Sequence, residues 1–387
     1  MQTQVLLVSE QTLPNLIPAL MDNVKHVCIV CSQAMSQKGR VLKALFEDFG
    51  ITVEQLDDAP THDVQHITHY ANQLLDVLQE AMPNCRPTLN ATGGNKLMSF
   101  GFIDAFRQRS LPVIYADTAN YSIETLPQLN GHIEPIKKMI DVLKVRDYLN
   151  AQGLGYQNSD SQSALWDARR LGRETVAGFL AKNADQLSRF FSILNGMASS
   201  ALNQTHNLVA PQQLFDRKKP KPSGLWAEAL RLCQTYQLLE WDGAYDVRFQ
   251  SADAAIFLNG QWLEEYAYQA ALEAGVFDVE CGVKVQPTAN IENEFDVLVC
   301  DGNQLLFIEC KTARFQDNQN DNQLAYKLDS LSKQARGLFG KTWLLSAQAP
   351  SDILRERAKS NRIEIVGPEA LPYLSDLIQR WRPSQKG

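Results

Sequence analysis

The stretch Glu294-Phe295-Asp296-Val297-Leu298-Val299-Cys300-Asp301-Gly302-Asn303-Gln304-Leu305-Leu306-Phe307-Ile308-Glu309-Cys310-Lys311 decides how the C-terminal part of the chain folds. Strand side chains point alternately to opposite faces. Phe295, Val297 and Val299 alternate with Glu294, Asp296 and Leu298, and in the second run Leu306, Ile308 and Cys310 alternate with Phe307, Glu309 and Lys311. Asp301-Gly302 is a favoured two-residue hairpin turn. Closing the hairpin there, or with a four-residue loop, puts Asp296, Glu309 and Lys311 on one face, with an oily set on the other. A three-residue loop does not.

Two carboxylates converging beside a lysine make a divalent-cation site with a charged partner. Mg²⁺ and Mn²⁺ favour oxygen ligands and take one or two carboxylates, plus waters and a substrate phosphate. Asp296 and Glu309 supply such oxygens, and the carbonyl of Cys310 is a third donor. Lys311 can hold the attacking water or stabilise charge on the phosphorus. Glu264 or Glu265, one turn into a preceding helix, adds a ligand or orients water, with Trp262 and Tyr266 anchoring that helix. An isolated Glu-x-Lys reads more simply as an exposed strand with a salt bridge. The upstream Asp296, the oily reverse face and the glutamate-bearing helix favour a metal site.

At 387 residues, with 44% hydrophobic and 21% charged residues, the chain suits two or three soluble domains. No apolar run is long enough to span a membrane, and no signal peptide opens the chain, so no membrane association is expected. The seven cysteines are scattered, which predicts a reducing, cytoplasmic setting without a disulfide framework. Cys28-Ile29-Val30-Cys31 is formally a CxxC but lies in a strand-like run and reads as buried strand. The net charge of −7 excludes whole-molecule attraction to nucleic acid. The charge is uneven, however: residues 240–326 hold 4 basic and 16 acidic residues, and 327–387 hold 11 basic and 6 acidic. A phosphodiester can lie across the basic tail with its scissile phosphate at the acidic block; two solvated faces of opposite sign are the plain alternative.

The fold expected is α/β in three parts. Residues 1–145 alternate strands (Val5–Val8, His26–Cys31, Ile51–Leu56, Pro87–Ala91, Pro112–Ala116) with helices (Leu13–Asp22, Gln37–Phe49, Val64–Ala81, Lys96–Arg107). That rhythm predicts a Rossmann-like parallel sheet covered on both faces. Residues 146–255 are mostly helical, with a Lys/Pro-rich link at 217–222 and a winged-helix-like order of helix Leu225–Tyr236 and two β-like runs. Residues 256–387 hold helix Gln261–Ala274, the acidic hairpin, helix Leu324–Phe339, strand Trp343–Ser346, helix Asp352–Asn361, strand Ile363–Val366 and a closing helix.

A second constellation is Asn90-Ala91-Thr92-Gly93-Gly94-Asn95-Lys96. Strand, two glycines and a helix N-terminus form an anion- and nucleotide-binding loop, though neither GxGxxG nor a Walker A motif. A tight turn needed only for the chain path is the alternative. His62, His66 and His69 share a helix face; with no fourth ligand apparent, they read as polar surface.

Glu264/Glu265 on a helix, Asp296 on a strand and Glu309-x-Lys311 on the next, followed by a helix with Lys327 and Gln334, resemble the PD-(D/E)xK nuclease superfamily. The usual Pro before the first Asp is replaced by Phe295. The Thr92–Lys96 loop, with Ser9-Glu10-Gln11-Thr12 after the first strand, resembles the CRISPR-associated Rossmann fold (CARF) domain. Together they resemble the cyclic-oligoadenylate-activated CARF nucleases of type III CRISPR antiviral defence, a restriction-endonuclease-like domain following the sensor. The resemblance implies a homodimer that binds cyclic oligoadenylate, usually cyclic tetra-adenylate, through Ser9, Gln11, Thr12, Thr92, Gly93, Gly94, Asn95 and Lys96. Asn95 stands where many relatives have Thr. It also implies Mn²⁺- or Mg²⁺-dependent cleavage of DNA and/or RNA, with single strands the expected form. A constitutive restriction or repair nuclease and a ligand-responsive DNA-binding regulator remain alternatives.

Overall fold

The computed structural model describes residues 2–118, 120–127, 134–288, 291–313 and 340–382. They fall into two compact units. The first runs to Tyr156 and takes in Asp301–Gln304; the second holds Gln157–Cys300 and most of the chain from Leu305 onward.

In the first unit the expected rhythm is found: β1 (Thr3–Leu7), α1 (Leu13–Met21), β2 (His26–Val30), α2 (Ser36–Asp48), β3 (Thr52–Leu56), α3 (Val64–Ala81), β4 (Thr88–Asn90), α4 (Lys96–Gln108) and β5 (Val113–Asp117). These strands pair in parallel in the order β3-β2-β1-β4-β5. Every residue of β1 and β2 is buried, as strands covered on both faces must be. Two antiparallel strands not legible in the sequence, β6 (Ser122–Thr125) and β7 (Lys137–Lys138), extend the edge, and α5 (Val145–Ala151) follows. The chain leaves β1 toward β2 on one side and reaches β4 on the other. The switch in direction lies between β1 and β4, where open α/β sheets place ligands beyond the strand ends. Both candidate loops start there.

The second unit comprises β8 (Tyr156–Ser159), α6 (Trp166–Leu171), α7 (Glu174–Lys182), α8 (Ala184–Ala201), β9 (Gln212–Leu214), α9 (Leu225–Thr235), β10 (Leu239–Trp241), β11 (Asp246–Phe249), α10 (Ala252–Ile256), α11 (Trp262–Glu273), β12 (Asp278–Thr288), β13 (Ile291–Asp301), β14 (Gln304–Lys311), β15 (Gly340–Ser346), α12 (Asp352–Ser360), β16 (Ile363–Val366) and α13 (Leu374–Trp381). One sheet runs β16-β15-β14-β13-β12-β8. A small antiparallel sheet, β10-β11-β9, pairs the strand before α9 with the second strand after it, the winged-helix arrangement expected of the middle part. That part shares its core with the large sheet: Trp166, Phe190, Phe191 and Leu230 belong to one buried cluster with Trp262, Val297, Ile308 and Cys310. The expected helix Leu324–Phe339, with Lys327 and Gln334, lies outside the described residues.

All seven cysteines are buried and unbridged. Burial, with help from Asp57, pushes the Cys31 thiol up to about 12, so the CxxC offers no reactive thiolate. Among the described residues no helix is long and apolar enough to cross a membrane. His62, His66 and His69 are exposed.

Candidate functional site

The hairpin closes one residue later than expected. β13 ends at Asp301 and β14 begins at Gln304, so the loop is Gly302-Asn303, with φ of 58° and 54°. Left-handed backbone at both central positions is the turn that fits strand twist, and Asn tolerates it nearly as well as Gly. Moving a two-residue loop by one position shifts every cross-strand partner by two, so the face assignment survives. Counting from this loop sets Asp296 opposite Glu309. Asp296 Oδ2 accepts a hydrogen bond from the Cys310 amide at 2.7 Å, and Lys311 Nζ pairs with Glu309 Oε1 at 2.7 Å.

The reverse face is oily as expected, with one exception. Val297, Val299, Leu306, Ile308 and Cys310 join the buried cluster. Phe295 does not; it meets Phe307 edge to face, ring centroids 5.3 Å apart. Gly282 in β12, at φ 62°, interrupts the pairing between Cys281–Val297 and Val283–Phe295. A left-handed residue breaks the pleat, and beyond the break Val283 and Phe295 are buried outside that cluster.

The two glutamates of α11 part company. Glu264 lies in the field of the hairpin: burial and then the charges of Asp296, Glu294 and Glu309 push its carboxyl well above the ordinary range, against the pull of Lys311. Glu265 is 2% exposed and its Oε1 accepts from Arg173 Nη1 at 3.1 Å. Arg173 also pairs with Asp253 and lies over the Phe257 ring. Glu265 is thus held in a buried ion pair with Arg173, while Glu264 is the glutamate in the field of the hairpin. The cause precedes the helix. Between α10 and α11 the chain kinks at Gly260, whose φ of 141° and ψ of −23° are not helical. The kink starts α11 afresh, so which of its residues face the hairpin does not follow from the turns before it. Trp262 and Tyr266 anchor α11 as expected: Trp262 is buried against Phe191, and Tyr266 Oη donates to Leu371 O at 2.7 Å.

The chain beyond Lys311 is clamped by residues that sequence reasoning did not single out. Thr312 pairs with the Asn195 side chain of α8 at 2.9 Å. The buried Gln348 donates from Nε2 to Thr312 O at 3.2 Å and to Ser188 O at 2.8 Å, and the Ser188 hydroxyl closes the pair. A Cβ on Gly260 would lie 2.8 Å from Thr312 Oγ1, so only glycine lets the kink approach so closely. Sequence carries no periodic signal for such contacts.

Among the described residues no three His, Cys, Asp or Glu side chains stand close enough to form a complete metal cage. The donor set still fits a hard cation, which takes few protein oxygens and fills the rest with water and phosphate. The mutual repulsion of Asp296, Glu309, Glu294 and Glu264 is what a divalent ion would relieve. Burial pulls the Lys311 ammonium down, but Glu309 and Asp296 outweigh it and hold its pKa above the ordinary value. It stays charged at neutral pH.

At the first unit's switch point, Gly93 is fixed by contact: an added Cβ would meet Leu7 O at 1.8 Å. Gly94 has φ 73°, a conformation that favours glycine. The Thr92 hydroxyl donates to Asn90 Oδ1 at 2.7 Å and accepts from the Ala116 amide at 2.8 Å, tying β4 to β5. The Asn95 side chain caps α4 by accepting from Met98 N at 2.9 Å and donates to Thr61 O. Thr12 is 1% exposed and its hydroxyl donates to Ala151 O at 2.7 Å. Thr92 and Thr12 thus shape the loops, while half-buried Ser9, Gln11 and Gly94 and exposed Asn95 and Lys96 face outward.

Comparison with known proteins finds the same two domains. Residues 3–148 match the family described as the Card1 CARF domain, and residues 251–385 the Card1-like endonuclease domain. Can2 from Sulfobacillus thermosulfidooxidans, solved with cyclic tetra-adenylate, is similar with a TM-score of 0.75 at 22% identity, over 98% of this chain and 99% of that one. Protein VC1899 from Vibrio cholerae gives 0.84 at 18% identity, over 98% and 97%. A type III CRISPR defence DNA nuclease activated by cyclic oligoadenylate gives 0.56 at 14% identity, over 93% of this chain and 52% of that one. At these identities the likenesses speak for the fold. No curated protein sequence matches. A sensor sheet with a Thr-Gly-Gly-Asn-Lys loop, joined to a sheet bearing Asp296 and Glu309-x-Lys311, places this chain in the family of CARF-domain nucleases with a Card1-like endonuclease domain.

Proposed function

We propose that the protein is a divalent-metal-dependent endonuclease cutting single-stranded nucleic acid, DNA, RNA or both. In this reading it acts when cyclic tetra-adenylate sits between two copies of its CARF domain, in type III CRISPR antiviral defence. The observation that carries the reading is the hairpin face that holds Asp296 against the Cys310 amide beside the Glu309–Lys311 pair, with Glu264 in their field.

Asp296, Glu309 and Glu264, with the Cys310 carbonyl, are the groups that would hold Mn²⁺ or Mg²⁺. Such an ion supplies an acidified water and neutralises charge building on the phosphate. Lys311, charged and held by Glu309, donates hydrogen bonds to that charge. Glu264, whose carboxyl keeps a proton more readily than a free glutamate, orients water beside it.

The activator half rests on the sensor loop and its setting. The Gly93–Lys96 turn leads into the N-terminus of α4, where Asn95 caps the Met98 amide and the remaining first-turn amides suit a phosphate. Beside it Leu97 and Phe100 are 38% and 60% exposed, apolar surface that a second copy would cover. A cyclic activator with rotational symmetry suits a two-fold interface, each protomer offering Asn95 and Lys96. Can2, with the same layout, binds cyclic tetra-adenylate in its solved structure.

The test offers labelled single- and double-stranded DNA and RNA with Mn²⁺, with and without cyclic tetra- or hexa-adenylate. Cleavage by wild type and none by Glu309→Ala or Lys311→Ala is expected. Both variants cutting at the wild-type rate would remove the assignment of the site.

A further inference from the structure

The segment Arg217–Pro222, which the sequence offers as a solvated link, forms the rim of a groove. The cavity, of about 380 Å³, is floored by Ile193, Phe215 and Trp226 and edged by Arg189, Lys219 and Lys221. The rim is built rather than loose. Asp216 Oδ1 accepts from Lys218 N at 2.9 Å, Lys219 N donates to Asp216 O, and Tyr245 Oη donates to Lys219 O at 3.1 Å. Pro220 and Pro222 fix φ on either side of Lys221. Arg217 pairs with Asp246. Arg189, Lys219 and Lys221 are exposed and form no salt bridge among the described residues. Three cations thus face one carboxylate, Asp216, over a half-buried indole that already leans on Phe190.

We propose that this groove binds the substrate strand, a base resting against Trp226 and adjacent phosphates held by Arg189, Lys219 and Lys221. Cations along a channel with an aromatic floor are how single strands are held without sequence preference. A base must leave its stack to reach a recessed indole, which favours single strands over duplex. The groove also shares α8 with the cleavage site: Ser188, next to Arg189, and Asn195 hold the segment beyond Lys311. The inference rests on the nuclease reading.

The test uses the full chain carrying Glu309→Gln, so that strands bind uncut, with cyclic tetra-adenylate and Mn²⁺. Anisotropy of a labelled single-stranded oligonucleotide is followed across a KCl series, with and without Lys219→Ala/Lys221→Ala. Two lost phosphate contacts lower the slope of log affinity against log salt by about 1.4, which is about 25-fold weaker binding at 0.1 M salt. In the wild-type background the same pair raises KM for single strands. An unchanged slope while wild type still cleaves overturns the groove alone. Equal loss for blunt duplex overturns the single-strand assignment, and failure of wild type to cleave any nucleic acid overturns the nuclease reading beneath it.

Discussion

Replacing Glu264 or Glu265, neighbours in sequence, has opposite consequences in this structure. Glu265→Ala leaves Arg173 buried with Asp253 as its remaining anion. Removing one partner of a buried ion pair costs about 3–5 kcal/mol, and the residual Asp253 contact sets the lower end, about 3. For a unit of this size that is a fall in Tm of roughly 6–12 °C. Glu264→Gln removes a carboxylate whose pKa is raised by burial and by Asp296, Glu294 and Glu309. A raised carboxyl pKa means the folded state holds the proton longer, so stability declines as pH rises from the unfolded value through the folded one. Without divalent ions, Glu264→Gln therefore keeps or raises Tm at pH 8 and flattens that decline, yet it loses cleavage. Differential scanning fluorimetry in EDTA at pH 5 and 8, beside a cleavage assay with Mn²⁺, reads both. Loss of cleavage with unchanged Tm in Glu265→Ala, and normal cleavage in Glu264→Gln, would refute the reasoning.

Three further outcomes are expected. Gly93→Ala drives a Cβ into Leu7 O, so activator response is lost together with the first unit's thermal transition; an intact transition and response contradict the packing. Lys96→Ala leaves the fold untouched, since Lys96 is exposed, and moves the activator dose–response to higher concentration; an unmoved curve points to a constitutive nuclease. Gln348→Leu strands the Thr312 and Ser188 carbonyls, costing about 1–3 kcal/mol each, and lowers both Tm and kcat; full activity at normal Tm rules out the clamp as a support for Lys311.

What the sequence disclosed and what it hid follow one physical line. β1, β2, β4 and β5 are readable as short apolar runs, and α2 to α4, between them, by the periodic face each buries. The hairpin faces were readable because strand parity is insensitive to a one-residue shift of a two-residue loop, so misplacing the turn on Asp301-Gly302 did no harm. β12 does carry an alternation, Val279, Cys281, Val283 and Val285, and only Gly282 at its centre argues against a strand there. β6, β7, β8 and β9 are short strands at or next to a sheet edge, defined by their partners more than by their residues. The choice between Glu264 and Glu265 is not legible because the kink at Gly260 sets the phase of α11 anew, and nothing in periodicity announces it. Thr312, Asn195 and Gln348 come together from three distant segments, which only tertiary packing reveals.

The central claim is a cutter held in check by its sensor. Cleavage of a labelled single strand in Mn²⁺, measured on wild-type protein with and without cyclic tetra-adenylate, tests it most directly. The account predicts negligible cutting without the activator and rapid cutting with it; metal-dependent cleavage at the same rate in its absence contradicts the coupling.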